Sequence, residues 1–436
     1  MSRVESRGRR RPLGIAAVGL LGSLVLVLTA GAVLWGPAEP AYTASDGQLR
    51  VYTSTPQPAW TLSDENLPGI SGSGQITVDD HQERDWLVAY PSAYGRAFLL
   101  IDAATGTFRW EEPVHVGLGD CAIDVDHRVG CAIKNGTVPD GFYMIDDEGA
   151  PKHAGPLDDS VSVTAVGRDF LRVNQFGRQA SLRTPEGVVR WSRSFAGTAS
   201  PRMSFGTLVV DTSDGRGFVL DPDTGSSIVE CESCDVLVYA GGVLTQSGAG
   251  DAREITVYRR QGLEISSTPA GQAEGLTVVP GPSNLPILTG TGSGQIMETV
   301  GRYEVIDPAT GHGLWKVADA QLSKSNTRPC GSVVALAKKD RSRVFYTLAD
   351  GRALGSMAPP SYLDPDQNLD LLECVGTSGD GRSRTTSLFA SRDRLTAFDA
   401  ETGKPAWTMD INGTAAAVNG YVVLTQGRSI TMLAPS

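Results

Sequence analysis

Beyond residue 45 the chain alternates short apolar runs with clusters of Gly, Pro, Asp, Asn and Thr, and no sustained stretch repeats apolar residues at three- and four-residue spacing. This pattern predicts short β-strands joined by tight turns. Residues 98 to 112, FLLIDAATGTFRWEE, show the unit: an apolar segment, a turn and a returning segment, the sequence form of a β-hairpin. The start of the chain departs from this. Leu13 to Trp35 is a run of 23 residues without a charge, and at 1.5 Å per residue a helix of that length crosses a bilayer core.

Arg7, Arg9, Arg10 and Arg11 precede the run and no basic cluster follows closely, so the positive-inside rule keeps the N-terminus in the cytoplasm and exports the remainder. The expected organisation is a basic cytoplasmic tail at 1–12, a transmembrane signal anchor at 13–35, a linker at 36–45 and an extracytoplasmic domain at 46–436. This describes a single-pass protein of the cell membrane. A cleaved signal peptide is the rival reading, but its apolar region is usually only ~7–15 residues. No Cys lies near the end of the run, so a lipid anchor there is not supported. The arm before the run carries five Arg and one Glu, so the net charge of −11 leaves −15 for the rest. That balance argues against nucleic acid as a partner and against adhesion to anionic lipid.

The hairpin recurs. Asp102, Gly106 and Trp110 keep the same spacing as Asp307, Gly311 and Trp315 and as Asp399, Gly403 and Trp407. Asp and Thr oxygens bond turn amides and Gly accepts positive φ, so D-x-x-T-G closes a hairpin without strain. The Trp then lies on the returning strand, where its size suggests packing between neighbouring units. Partial copies keep Gly187 and Trp191, with Arg183 in the Asp position, or Asp221 and Gly225, with Val229 in the Trp position. Weaker echoes occur at 144–150, 257–265, 346–354 and near Trp60. Hairpins return about every 35 to 52 residues, the size of a four-stranded propeller blade.

The last 22 residues offer about three strands without the turn or the Trp. The early segment LRVYTSTPQPAWTL is expected to supply the missing outer strand, which would fasten a ring and remove free sheet edges. The hairpin count fits seven or eight four-stranded blades, with eight preferred.

The pattern apolar-Asp-Ala-x-Thr-Gly-x-x-x-Trp resembles the repeat of PQQ-like β-propellers, the fold shared by quinoprotein alcohol dehydrogenases and by non-enzymatic BamB-like proteins of bacterial outer-membrane assembly. The resemblance spans roughly residues 46 to 436 and implies an all-β PQQ-like β-propeller following one N-terminal transmembrane helix. Dehydrogenases of the family carry adjacent cysteines against the quinone and a calcium-binding Glu/Asn/Asp set. Here no two Cys are adjacent and no calcium set can be matched residue by residue, so no cofactor is expected.

All six Cys follow the apolar run, which suggests disulfides. Cys121 and Cys131 flank a hairpin and form the first expected pair; Cys231 and Cys234 form a small loop closure, and Cys330 with Cys374 remains by elimination among fifteen possible connectivities. A redox or zinc role for C-x-x-C lacks the βα context or second ligand pair it would need. His81, His115, His127, His153 and His312 are scattered. GSGQI occurs at 72–76 and 292–296 without a following helix pattern, and reads as a repeated strand entry. Asp364, Asp366 and Asp370 hint at calcium, but Leu369 stands where a calcium loop needs Gly. The expected function is therefore a membrane-anchored scaffold without catalysis, binding a protein or envelope component. The alternatives are a ligand sensor working with a partner membrane protein and, last, a PQQ-dependent dehydrogenase.

Overall fold

The computed structural model describes residues 48–153, 158–290, 301–323, 326–359, 372–379, 385–391 and 393–436. The expected tail, membrane span and linker lie outside the described residues, as do the second GSGQI and the segment from Asp364 to Asp370. Among the described residues no helix is long and apolar enough to cross a membrane.

The described residues between 48 and 436 form a β-propeller of nine blades. In chain order they occupy 77–117, 120–153, 160–194, 199–231, 234–274, 276–319, 328–357, 373–410 and 414–433, numbered I to IX. Each is an antiparallel meander whose strands we letter a to d from the channel outwards. In blade I these are Thr77–His81, Asp85–Ser92, Gly95–Asp102 and Val114–Gly117. The meander puts the b–c turns and the links between blades on one face of the ring, and the a–b and c–d turns on the other. Middle strands are covered by both neighbouring blades, so they read as nearly continuous apolar runs: strand b of blade I has six of its eight positions buried. Outer strands bury one side only. Val189–Ser194 in blade III buries Trp191 between exposed neighbours.

Blade IX has only three strands of its own, and Pro58–Ser63 adds the fourth by pairing antiparallel with Ser429–Leu433. The expected closure is found. Blade IX then packs on blade I: Asn419 Nδ2 donates to the Gln82 and Glu83 carbonyls, and Val423, Ile430 and Met432 share one core with Trp86 and Leu100. A further short strand, Gln48–Leu49, runs parallel to strand a of blade VIII, with Gln48 opposite Thr377.

The blade count of seven or eight is corrected to nine. The first residues of successive a strands lie between 35 (Ala199 to Cys234) and 52 (Leu276 to Arg328) residues apart, so the period read from the hairpins is right. The number fell short because the c–d motif is worn away in blades II, V and VII. Blade II in particular ends in a strand of only three residues, Pro151–His153, with no Trp.

One interaction repeats around the ring. The Trp of a blade lies against the turn glycine of the next: a Cβ on Gly106 would come within 2.6 Å of the Trp60 ring, on Gly225 within 2.5 Å of Trp191, and on Gly351 within 2.6 Å of Trp315. The indole N–H donates to the carbonyl just after the turn's first residue, Trp60 to Ala103 at 2.9 Å, Trp191 to Pro222 at 2.8 Å and Trp315 to Leu348 at 2.7 Å. These glycines are therefore fixed twice, by φ values of 68 to 69° that side chains rarely adopt and by the ring of the preceding blade.

Three disulfides are present. Cys121 and Cys131 sit directly opposite on strands a and b of blade II, Cys231 and Cys234 close the link from blade IV to blade V, and Cys330 and Cys374 join the a strands of blades VII and VIII.

Candidate functional site

The motif residues do not converge. Asp102 accepts from the amides of Ala104 and Thr105 and from the Thr105 hydroxyl, Asp307 from the Ala309 amide and the Thr310 hydroxyl, and Asp399 from the amides of Glu401 and Thr402. Asp221 caps its own turn through Asp223 N. The following glycines, Gly106, Gly225, Gly311 and Gly403, each donate back to the Asp carbonyl at 2.7 to 2.8 Å. Gly187 closes a tighter turn onto Thr184, while Arg183 faces Asp158 at 3.6 Å instead of capping. Trp110 packs on Gly149 of blade II, and Trp407 donates to the Tyr52 carbonyl beneath the entering chain. Every one of these groups holds turns or blades together at the c–d face.

A cavity of about 800 Å³ lies instead along the a strands of blades I to IV. Its wall is apolar, with Val163, Val166, Leu182 and Met203, and Val125 and Leu263 stand at its rim on the a–b face. Asp79, Asp80, His81 and Asp120 supply polar groups from blades I and II, with Arg168 and Arg202 opposite in blades III and IV.

The carboxylates join the two blades. Arg96 Nη2 contacts Asp79 at 2.7 Å and its Nη1 contacts Asp120 at 3.4 Å, so one guanidinium spans carboxylates on adjacent a strands. Asp80 accepts from Ile123 N of blade II at 2.9 Å and from His81 N at 2.8 Å. Burial pushes the Asp80 carboxyl up to about 6 against those donors, and it also lowers His81. Burial, reinforced by the charge of Asp79 and opposed by Arg96, pushes Asp120 up to about 7. This wall changes charge between pH 6 and 7, offering hydroxyl donors below that window and carboxylate acceptors above it. Among the described residues lining the cavity there is no serine, lysine or free cysteine, and no group of three or more His, Cys, Asp or Glu among the described residues could hold a metal ion.

A carboxyl whose folded pKa is raised favours folding fully below its ordinary value of 3.8, and that contribution is lost as pH rises through about 7. Asp120→Asn retains the oxygen that accepts from Cys121 N and cannot ionise. It should stabilise the protein at pH 8 by on the order of 2 kcal/mol and leave it little changed at pH 4. Thermal melts at the two pH values decide. An equal loss at both would mean that Asp120 acts ionised, through Arg96.

The sequence reading missed Asp79, Asp80 and Asp120. The available signal was TVDDH and GDCAI, acidic residues inside strands that otherwise read as core. Of the scattered histidines only His81 lines the cavity; His127 pairs with Asp85 at 2.8 Å, and the His153 ring lies tilted against Tyr143.

No protein-family model matches the chain, and no curated protein matches it. Similar solved structures include BamB from Moraxella catarrhalis, at 12% identity over 87% of this chain and 99% of that chain with a TM-score of 0.41. The computationally designed Ika8 protein matches at 11% identity over 83% and 98%, with a TM-score of 0.40, and Sqt1 of Saccharomyces cerevisiae at 10% over 74% and 96%, with a TM-score of 0.37. The assignment of nine blades rests on the strand pairings above.

Proposed function

We propose that the chain is a non-catalytic scaffold, anchored in the cell membrane by residues 13–35 and exported beyond it, that holds a protein partner at the mouth of its channel. The observation that carries this reading is the rim of the 800 Å³ cavity, where Val125 and Leu263 are 55% and 75% exposed above an apolar wall. Exposed apolar residues framing a concave wall are the form of a recognition surface. The uncharged run from Leu13 to Trp35 supports the anchor, and three disulfides support an oxidising compartment. The motif Asp, Gly and Trp residues are occupied in holding turns and blades, which supports a binding role over a quinone-dependent one.

Crosslinking of the full-length protein in its native membrane, followed by capture, tests the reading. The double variant Val125→Asp, Leu263→Asp should lose a specific protein that the wild type captures, while its melting temperature stays unchanged because both side chains face solvent. Equal capture by both would overturn it.

A second reading, a sensor of a small molecule or cell-wall fragment, draws on the size of the cavity and on Asp80 and Asp120 titrating near neutrality. A ligand of that kind would raise the melting temperature of the wild type, and Asp80→Asn would abolish the rise.

A further inference from the structure

The cavity along blades I to IV is lined by strand edges. Val163, Thr164, Ala165 and Val166 all face it, as do Asp120 to Ile123 and Pro201 to Met203. Successive side chains of a strand point to opposite faces of its sheet, so a run of consecutive residues along the wall means that the backbone edge is turned to the cavity. The packing agrees: Val163 shares a core with Ala122 and Phe142 of blade II, and Val166 shares one with Leu208 of blade IV. Each of these a strands ends its sheet, and among the described residues no strand pairs with its channel edge. An unpaired edge is a row of main-chain donors and acceptors, and so a template for another strand. The ring uses such an edge once already, where Gln48–Leu49 lies on the channel side of strand a of blade VIII.

Of the four edges at the cavity, that of blade III is the one fit to take a strand. Ser160–Val166 is the longest of them, and its register with strand b is regular from Ser162 to Val166. Blade I has a bulge between Val78 and Asp80, blade II offers four residues, and Pro201 of blade IV has no N–H to give. A strand added to blade III would turn alternate side chains towards blade II and towards blade IV. The two sides differ. Strand a of blade IV presents Pro201 and Met203. On the other side, Asp79 and Asp120 share the single guanidinium of Arg96, while Asp80 accepts from two backbone amides and pairs with no cation among the described residues. The cations across the cavity do not offset these carboxylates, because Arg168 is taken by Asp126 at 3.1 Å and Arg202 by Asp211 at 3.2 Å.

We infer that the partner enters the channel mouth as an extended segment and adds to the channel edge of Ser160–Val166 as a fifth strand of blade III. Its Lys or Arg side chains, set against Asp79, Asp80 and Asp120, alternate with apolar ones set against Met203. The inference gives the chemistry of the partner and rests on the scaffold reading above. In strand addition the main-chain hydrogen bonds supply affinity, and the pockets for alternate side chains supply the choice of partner. The segment leaves the channel past Val125 and Leu263.

The test uses the full-length protein and a short end-blocked peptide of alternating valine and lysine. The peptide should bind, slow amide exchange in 160–166 and leave 234–239 unchanged. The double variant Asp79→Asn, Asp120→Asn should bind it about tenfold more weakly, and replacing the lysines by glutamates should abolish binding. Two further peptides carry backbone N-methyl groups, one on the lysines and one on the valines. The N–H groups of alternate residues point to opposite edges of a strand, so one methylated peptide should fail and the other should bind like the parent. No binding at millimolar peptide would overturn the inference, as would equal behaviour of the two methylated forms or unchanged exchange in 160–166. A protein captured through Val125 and Leu263 that leaves 160–166 exchanging freely would overturn strand addition and leave the scaffold standing. A chain that binds the peptide in this way but captures no protein would overturn the scaffold reading alone.

Discussion

Trp60→Ala should destabilise the protein by about 4 kcal/mol, in the middle of the range for removing a buried tryptophan, and the loss should appear at both ends of the chain at once. Trp60 lies on the strand that completes blade IX, but its ring packs on Gly106 of blade I and edge-on to Trp86 at 5.7 Å, and its N–H serves Ala103. It therefore holds the first and last blades together. Amide exchange should quicken in 58–63, in their partners 429–433 and in the turn at 102–106, and the melting temperature should fall by about 5 °C for a domain of this size. Trp60→Phe keeps most of the packing and loses the hydrogen bond, so a cost nearer 1 kcal/mol is expected. If exchange rises only within 58–63, the ring does not depend on this strand for closure.

Removing the disulfide between Cys330 and Cys374 with a double alanine variant should cost about 4 kcal/mol, because the bridge closes a loop of 44 residues. Removing Cys231 and Cys234, only three residues apart, should cost less than about 2 kcal/mol on the same chain-entropy argument. Guanidinium unfolding of the two variants gives the comparison. Equal losses would show that local packing, not loop closure, sets the value of these bridges. The contrast matters for the fold, since the longer bridge joins two blades while the shorter one pins a single link.

What could be read from the sequence was local. The Asp, Thr and Gly of a c–d turn sit within five residues of one another, and the Trp follows four later, so the hairpin and its interlocking side chain were visible in one line. The strand at 58–63 could be expected because blade IX ended one strand short. Blade number was harder, since in blades II, V and VII the turn survives as Gly149, Gly262 and Gly351 while the Trp has gone. The cavity could not be seen at all. Asp79 and Asp120 are 41 residues apart and are bridged by Arg96, and Gln48 finds Thr377 across most of the chain. Contacts of that kind are set by the order of blades around a ring, which no single segment encodes.

The central claim, that the channel mouth is a place where another protein is held, is tested most directly by a photo-crosslinking amino acid at position 263 of the full-length protein in its native membrane. The account predicts a defined covalent adduct with a second protein, absent when the same group stands at Leu314, which is exposed on the outer strand of blade VI. An adduct from both positions alike, or from neither, would contradict it.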